Sequence, residues 1–341
     1  MMNQNLNDAI LHQLNAEKWL KSETVQSLWS GYGEIARYRL ARGRSDGRDV
    51  CDGGNEDDQS IIVKHVTLPE QHAHPRGWSS DLSHQRKVRS YQVESHWYSN
   101  YAALCDVSCR VPQCYFAKES DNEYVMVLED LDAAGFSVRH EQIDLERMRQ
   151  CLAWLAHFHV RFIDEPVEGL WPTGTYWHLE TRPDELDALD DLPLKHAASE
   201  IDQRLKDAPF QTLVHGDAKL ANFCFADDGQ SVAAVDFQYV GRGCGMKDVA
   251  YFIGSCLRER DCERYEQELL AMYFAATKQA IAHFGKPIDP AALDAAWRPL
   301  YPIAWTDFHR FVKGWSPGHW KIHSYSERLA KQVIVALDAS V

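Results

Sequence analysis

Residues 211–240, QTLVHGDAKLANFCFADDGQSVAAVDFQYV, carry the most informative pattern of the chain. Two short runs within it, residues 211–214 and 231–236, are apolar and rich in β-branched side chains, which predicts buried strands. Between them, residues 226–230 (ADDGQ) contain the Asp-Gly pair typical of a hairpin turn. The stretch therefore predicts a small β-hairpin with a polar loop before it.

Three oxygen-bearing side chains flank this hairpin. Asp217 and Asn222 lie on the loop that enters it, and Asp236 lies at its exit, so we expect the three to converge. Carboxylate and amide oxygens suit Mg²⁺, a hard cation. The order also matches H-x-D-x-x-x-x-N followed by a second aspartate, the pattern of phosphoryl transfer. Asp217 is thus the predicted catalytic base, and Asn222 and Asp236 are the predicted metal ligands.

Lys219 follows Asp217 at the position where Ser/Thr kinases carry a lysine directed at the transferred phosphate. We therefore predict a catalytic role for it. The alternative interpretation is that His215-Gly216-Asp217 is only a turn and Asp236 only a strand end. The complete set of groups in the expected order favours the catalytic interpretation.

Composition narrows the class of protein. The chain has 341 residues, 45% of them hydrophobic, which allows a sizeable core in one large domain or two. A net charge of -14 argues against a nucleic-acid binder. Runs of ~18 apolar residues, as a membrane helix requires, do not occur, and the polar N-terminus MMNQNLNDAI is not a signal peptide. Nine scattered cysteines without a C-x-x-C pair predict reduced thiols in a cytoplasmic protein.

The N-terminal region predicts a nucleotide-binding turn. Residues 4–20 are predicted to form a polar helix, followed by a strand, a glycine turn and a second strand. Gly31 and Gly33 would let the backbone approach phosphates closely. Ala36 replaces the third glycine of G-x-G-x-x-G, so an ordinary β-turn remains the alternative.

A lysine and a glutamate further along suggest a phosphate-binding pair. Lys64 interrupts the apolar strand 60–66, either as an edge-strand charge or as a phosphate-pairing lysine, and its position in the chain favours the second. Such a lysine needs an acidic partner on a following helix. Residues 85–104 are predicted to form that helix and Glu94 is their only acid, although it could instead pair with a neighbouring base in solvent.

Two apolar strands, residues 110–117 and 124–128, complete a predicted five-stranded antiparallel sheet. The second strand runs into Glu129 and Leu131, where backbone groups could meet an adenine edge. Residues 41–58, rich in Gly and Asp, and residues 69–84, with three histidines, are predicted to be loops. The second loop is expected to cover the opening of the nucleotide or substrate site.

The C-terminal half is predicted to be mostly helical. Asp248 is a candidate N-cap for an apolar helix and a candidate brace for the predicted catalytic loop, which carries Asp217 and Asn222. The segment 297–325 is unusually aromatic, and part of it is expected to line a substrate pocket.

Together these residues resemble a known superfamily. His215-Gly216-Asp217 with Asn222, then Val235-Asp236-Phe237-Gln238, is similar to the aminoglycoside-phosphotransferase and choline-kinase superfamily of small-molecule kinases. The D-F-Q ending, the 128–131 linker LEDL and the 29–33 turn WSGYG look closest to its ecdysteroid-kinase-like branch and bacterial relatives. The resemblance covers roughly residues 25–330.

The resemblance implies an α+β, protein-kinase-like bilobal fold. Residues 1–128 would form an N-lobe with the five-stranded sheet and one key helix, and residues 129–341 a mostly helical C-lobe. Carried over by position, Lys64 held by Glu94 would bind the α- and β-phosphates of ATP. Together with the residues argued above, the predicted site residues are Asp217 and Lys219 for catalysis, Gly31, Gly33, Lys64, Glu94, Glu129 and Leu131 for the nucleotide, and Asn222 and Asp236 for Mg²⁺. Gly216, Gln238 and the lack of an A-P-E motif argue against a protein kinase with an activation loop.

The predicted activity is transfer of the ATP γ-phosphoryl group to the hydroxyl of a small molecule, with no obligatory protein partner. One alternative is a kinase for choline, a sugar or a similar polar alcohol, for which Asp307 would suit a cationic substrate. A steroid or lipid alcohol would instead require an apolar pocket. A non-catalytic pseudokinase and an oxidoreductase are further alternatives, the last disfavoured because Gly31 and Gly33 lie between two predicted strands.

Overall fold

The computed structural model describes residues 4–28, 31–41, 59–68, 81–120 and 122–339. Most of the predicted loops 41–58 and 69–84, and Trp29 and Ser30 of the glycine turn, lie outside these ranges. The chain divides into two units: unit 1 comprises Met1–Leu104 and Pro112–Ser137, and unit 2 comprises Cys105–Val111 and Val138–Val341. The boundary predicted between residues 128 and 129 lies inside unit 1. Among the described helices, none is long and apolar enough to span a bilayer.

Unit 1 is built on an antiparallel sheet with strand order β1-β2-β3-β5-β4. Its helices and strands are α1 Gln4–Leu14, β1 Lys18–Ser27, β2 Gly33–Ala41, β3 Ser60–Thr67, α2 Asp81–Asn100, β4 Cys114–Ser120 and β5 Glu123–Glu129. The predicted helix 4–20 was too long, since Trp19 already pairs with Leu40 in the sheet.

The central strand β3 presents opposite faces to the two helices. Because successive side chains of a strand alternate, Ile61 and Val63 face the core with α1, where Ile10 is fully buried. Val66 lies on the other face, in a cluster with Tyr91 of α2. Alternation therefore directs Lys64 toward α2, the helix that carries Glu94.

Unit 2 is mostly helical. Its elements are α3 Leu145–Arg161, α4 Pro183–Asp187, α5 Leu192–Lys206, β6 Thr212–Val214, β7 Phe223–Phe225, β8 Val232–Ala234, β9 Gly241–Gly243, α6 Met246–Cys256, α7 Glu259–Phe284, α8 Pro290–Trp297, α9 Tyr301–Trp315 and α10 Ser324–Asp338. Helix α9 packs against α4, α5, α6 and α10, and α3 packs along α7. This arrangement confirms the predicted α+β class: a five-stranded sheet in the N-terminal part and a mostly helical C-terminal part, as in a protein-kinase-like fold.

The predicted hairpin is present with one change of partner. β7 pairs with β8 across the turn 226–230, so Asn222 enters the hairpin and Asp236 follows it, as predicted. The strand predicted at 211–214 is β6, which instead pairs with β9. Two short ribbons rather than one therefore hold the catalytic loop.

Ile10 provides a test of the α1 interface. Ile10→Ala removes a side chain with 0% exposure, so we expect a loss of about 2–5 kcal/mol in the free energy of unfolding of unit 1. Leu20→Ala, on β1 with 62% exposure, is the control and should change it by less than about 0.5 kcal/mol. Urea unfolding followed by circular dichroism measures both; equal losses would show that α1 does not stabilise the sheet.

Candidate active site

Lys64 and Glu94 form a buried ion pair in unit 1. The Nζ of Lys64 lies 2.6 Å from Oε2 of Glu94, and the two residues are 4% and 2% exposed. The predicted pairing is therefore confirmed. Burial of both charges makes the pair costly to break, because the remaining buried charge would lose its ionic partner.

The two glycines of the turn have different requirements. A Cβ on Gly33 would lie 1.9 Å from the backbone oxygen of His65, so packing against β3 already demands glycine there. Gly31 has φ +74° and open space around it, a left-handed conformation that glycine adopts without strain. Only Gly31 is thus left without a packing reason, and the phosphate-binding role of both stays a prediction.

The linker after β5 is fixed by side chains. Asp130 is buried and accepts hydrogen bonds from Nε of Arg37 at 2.6 Å and from Oγ of Ser60 at 2.6 Å. Burial raises the pKa of Asp130, but the hydrogen bonds from Arg37 and Ser60 outweigh it and lower the pKa below its usual value. This clamp of the linker to β2 and β3 had no signal in the sequence.

Backbone groups of the linker are partly occupied. The N–H of Glu129 donates to Gln113, and the carbonyl of Leu131 accepts from Phe136. In the residues that the structure covers, the N–H of Leu131 donates no hydrogen bond. Of the two residues predicted to meet adenine, Leu131 thus offers a backbone donor.

In unit 2, Asp248 holds the catalytic loop. Its side chain is fully buried and accepts hydrogen bonds from the backbone N–H of His215 at 2.5 Å and of Gly216 at 2.9 Å. The predicted brace is confirmed. The predicted N-cap is wrong, because α6 begins at Met246 with Gly245 as its cap, and Asp248 points into the protein from the first turn.

Gly216 departs from the arginine of protein kinases for a steric reason. Its φ is +80°, and a Cβ would lie 2.1 Å from the backbone oxygen of Tyr239. The backbone oxygen of Gly216 accepts a hydrogen bond from Tyr176. A side chain at this position would displace the segments around Tyr176 and Tyr239.

His215 links the loop to the end of β8. Its Nδ1 lies 3.2 Å from the backbone N–H of Asp217, a donor, so Nδ1 accepts. Nε2 lies 3.0 Å from the carbonyl of Val235 and therefore carries the proton. The imidazole thus fixes the backbone of Asp217 relative to the end of β8.

Asp217 is the centre of the site. It is buried; Lys219 Nζ donates to its Oδ2 at 2.8 Å, Asn222 Nδ2 to Oδ2 at 3.2 Å, and the Tyr251 hydroxyl to Oδ1 at 3.1 Å. Burial raises the pKa of Asp217, the charge of Lys219 lowers it, and the charge of Asp236 raises it. The net result is a carboxylate more basic than usual, which suits a general base.

Asn222 and Asp236 fit a hard cation. The amide nitrogen of Asn222 donates to the backbone and side chain of Asp217, and this directs the Oδ1 atom of Asn222 away from Asp217. Its backbone oxygen accepts from the N–H of Val235, which brings Asp236 beside it. The donor set is therefore an amide oxygen and a carboxylate, the ligands that Mg²⁺ takes.

Tyr251, which contacts Asp217, and Lys321, which contacts Tyr251, were not assigned a role from the sequence. Tyr251 lies three positions after Asp248 on α6, so the helical period places both toward the loop, a signal that could have found it. Lys321 lies in the loop between α9 and α10, and its Nζ stands 4.6 Å from the centroid of the Tyr251 ring. No local pattern connects Lys321 to the catalytic loop.

Asp307 does not line a pocket, contrary to the suggestion that it could receive a cation. It is 1% exposed, accepts from Arg310 at 2.9 Å and from Trp177 Nε1 at 3.0 Å, and lies 3.7 Å from Lys247. Its charge is matched inside the protein. The aromatic segment around it is largely core, with Trp315 and Trp320 as its exposed members.

Comparison with known proteins now identifies the family. The model of the phosphotransferase enzyme family (APH) matches residues 80–284, more than half of the chain. The chain belongs to the phosphotransferase enzyme family. No curated protein matches it.

Solved structures of other kinases are similar to this phosphotransferase at low identity. One is a microcompartment-associated aminopropanol kinase, with 14% identity and a TM-score of 0.48 over 97% of this chain and 93% of that chain. A second is a putative fructosamine-3-kinase from Haemophilus somnus 129PT, with 12% identity and a TM-score of 0.45 over 97% of this chain and 96% of that chain. A third is an aminoglycoside phosphotransferase from Streptomyces rimosus ATCC10970 in complex with ADP and streptomycin, with 14% identity and a TM-score of 0.42 over 91% of this chain and 99% of that chain.

Family membership confirms the predicted resemblance to the aminoglycoside phosphotransferases. It also confirms the predicted enzyme class, a phosphotransferase with an alcohol group as acceptor. The assignment to the ecdysteroid-kinase-like branch stays a prediction.

The ion pair of the phosphotransferase can be tested by a double-mutant cycle. Lys64→Met and Glu94→Met should each lower the free energy of unfolding by about 3–5 kcal/mol, because each removes the ionic partner of a buried charge. The double variant should recover most of that loss. Urea unfolding measures stability, and calorimetry measures ADP affinity, which all three variants should lose. Additive losses of stability would contradict a coupled pair.

Proposed function

We propose that this phosphotransferase is an ATP- and Mg²⁺-dependent kinase that transfers the γ-phosphoryl group to a hydroxyl of a small molecule. The observation that carries the proposal is Asp217: a buried carboxylate of raised pKa, oriented by Lys219, Asn222 and Tyr251 on a loop that Asp248 holds. A fold without chemistry to perform has no physical need for this arrangement.

In the proposed step, Asp217 accepts the proton of the acceptor hydroxyl. The acceptor oxygen forms a bond to the γ-phosphorus while the bond to the β,γ-bridging oxygen breaks, and ADP leaves with that electron pair. Lys219, paired with Asp217 at 2.8 Å, places a positive charge beside the reacting groups. Lys64 binds phosphate oxygens and Glu94 fixes its position.

Asn222 and Asp236 would hold Mg²⁺, which when bound neutralises phosphate charge. Leu131 would offer its backbone N–H to adenine. These assignments rest on the donor sets described above.

The alternatives differ in what the site supports. For a cationic alcohol such as choline, the acid suggested from the sequence, Asp307, is buried in internal ion pairs, so aromatic faces would have to receive the cation. Sugar alcohols and other uncharged or anionic acceptors remain compatible with the proposal. A pseudokinase would bind nucleotide without transferring phosphate.

Asp217→Asn tests the proposed base. We expect ADP formation with Mg²⁺-ATP and a panel of aminoglycosides, choline, sugars, sterols and hydroxy acids to fall by about 10²–10⁴-fold, since the variant cannot accept the proton. Nucleotide affinity, measured by calorimetry, should stay unchanged. Asp228→Asn, on the exposed hairpin turn, is the matched control and should retain full activity.

Nucleotide binding by the wild type without turnover of any acceptor would support the pseudokinase. Full turnover by Asp217→Asn would remove Asp217 from the mechanism.

The pH profile tests the electrostatics of Asp217. Since the base must be ionised and burial raises its pKa, kcat/KM should fall as the pH falls through a value above the usual aspartate range. Lys219 lowers that pKa, so Lys219→Met should move the acid limb to higher pH, besides lowering the rate. Lys278→Met, on the surface of α7, should leave the limb in place. An acid limb unmoved by Lys219→Met would show that another group titrates.

A further inference from the structure

Lys321 places a cation among aromatic rings beside the catalytic loop. Its Nζ lies 4.6 Å from the ring centroid of Tyr251, 5.0 Å from that of Phe308 and 5.6 Å from that of Trp320. Across the described ranges of the chain, no carboxylate or other oxygen accepts a hydrogen bond from this Nζ. Burial lowers the pKa of Lys321 to about 8, and the charge of Asp217 partly opposes this. The side chain is thus a poorly solvated ammonium without an ionic partner.

Tyr251 connects Lys321 to the proposed base. The same ring that faces Lys321 carries the hydroxyl that donates to Oδ1 of Asp217 at 3.1 Å, and Tyr176 donates to that hydroxyl at 3.3 Å. Lys219 and Asn222 bind the other carboxylate oxygen, Oδ2. Lys321 therefore contacts the residue that donates to Oδ1, the carboxylate oxygen that Lys219 and Asn222 do not bind.

The charges around Lys321 and Tyr251 favour the binding of an anion. Asp217 already receives three hydrogen-bond donors, and Asp307, one residue before Phe308 on α9, is engaged with Arg310, Trp177 and Lys247. An ammonium with low hydration and no ionic partner is stabilised most by a charge-assisted hydrogen bond to a ligand carboxylate or phosphate. A ligand ammonium would instead meet a like charge.

We propose that Lys321 is a specificity-determining residue that binds an anionic group, a carboxylate or phosphate, of the acceptor whose hydroxyl reaches Asp217. Tyr251, Phe308 and Trp320 pack against the apolar part of that acceptor. This inference rests on the proposed phosphoryl transfer at Asp217 and names its substrate class: anionic alcohols with an apolar body.

The charge of Lys321 depends on pH. The groups that face it are Asp217 and Lys219 on the catalytic loop, Tyr251 and Cys256 on α6, Cys262 on α7 and His319 on its own loop. Its ammonium is present below about pH 8 and is lost as the pH rises through that value. Affinity for an anionic acceptor should therefore fall above about pH 8.

The test uses three alcohols of one scaffold: para-hydroxymethyl benzoate, para-hydroxymethylphenyl phosphate and para-hydroxymethyl benzylamine. Their affinities for the full chain with Mg²⁺-ADP are measured by calorimetry, in the wild type, Lys321→Met, Lys321→Arg and the surface control Lys331→Met. We expect the wild type and the control to bind the better of the two anions about 10- to 100-fold more tightly than the amine, the effect of one charge-assisted hydrogen bond.

Lys321→Met should lose that preference, and Lys321→Arg should keep it at pH values where the wild type has lost it. With Mg²⁺-ATP, Lys321→Met should raise KM for the anionic alcohol and change kcat little. The benzoate and phosphate arms distinguish the two anion types. Absence of anion binding by the wild type, or equal preference in Lys321→Met, overturns the proposal.

Phosphorylation of the same alcohols, compared between wild type and Asp217→Asn, reports on the proposed function separately. Asp217-dependent transfer without an anion preference overturns only the role of Lys321. An anion preference lost in Lys321→Met, without any Asp217-dependent transfer, overturns the kinase step and leaves Lys321 as an anion-binding residue.

Discussion

The catalytic loop depends on one buried carboxylate, that of Asp248. Its two oxygens accept the backbone N–H groups of His215 and Gly216, and His159 lies 3.1 Å from Oδ2. A buried negative charge without such donors would be strongly unfavourable, so the loop and α6 stabilise each other. The left-handed conformation of Gly216 and the orientation of His215 follow from this anchor, and they in turn place Asp217.

Around Asp217 the protein supplies a different environment on each carboxylate oxygen. Lys219 and Asn222 donate to one, which couples the base to the predicted phosphate and metal side. Tyr251 donates to the other, and Lys321 lies over the Tyr251 ring. The proposed role of Lys321 would place recognition of the acceptor at helix α6 and the loop before α10, apart from the predicted nucleotide chemistry.

Asp307 shows how chemistry read from residue types can mislead. An acid among aromatic residues suggested a cation-binding pocket, yet α9 is the central helix of unit 2 and turns Asp307 toward Arg310 and Lys247. Burial with two cations makes it a structural group. The strand 211–214 was likewise placed correctly along the chain, but it pairs with β9 and not with the hairpin strand 231–236, because pairing between distant short strands is set by packing and not by local pattern.

Local sequence patterns were sufficient to predict the features that depend on the spacing of residues along the chain. The hairpin brings Asn222 and Asp236 together because its turn is local, and the alternation of β3 directs Lys64 toward Glu94. The N-terminal helix is shorter than its sequence pattern predicts, because helix propensity is weak compared with pairing in a sheet. The clamp of Arg37 on Asp130 and above all Lys321 emerged only from the tertiary structure. Their partners are far apart in the chain, and burial, which decides their charge and their contacts, is a property of the packed molecule.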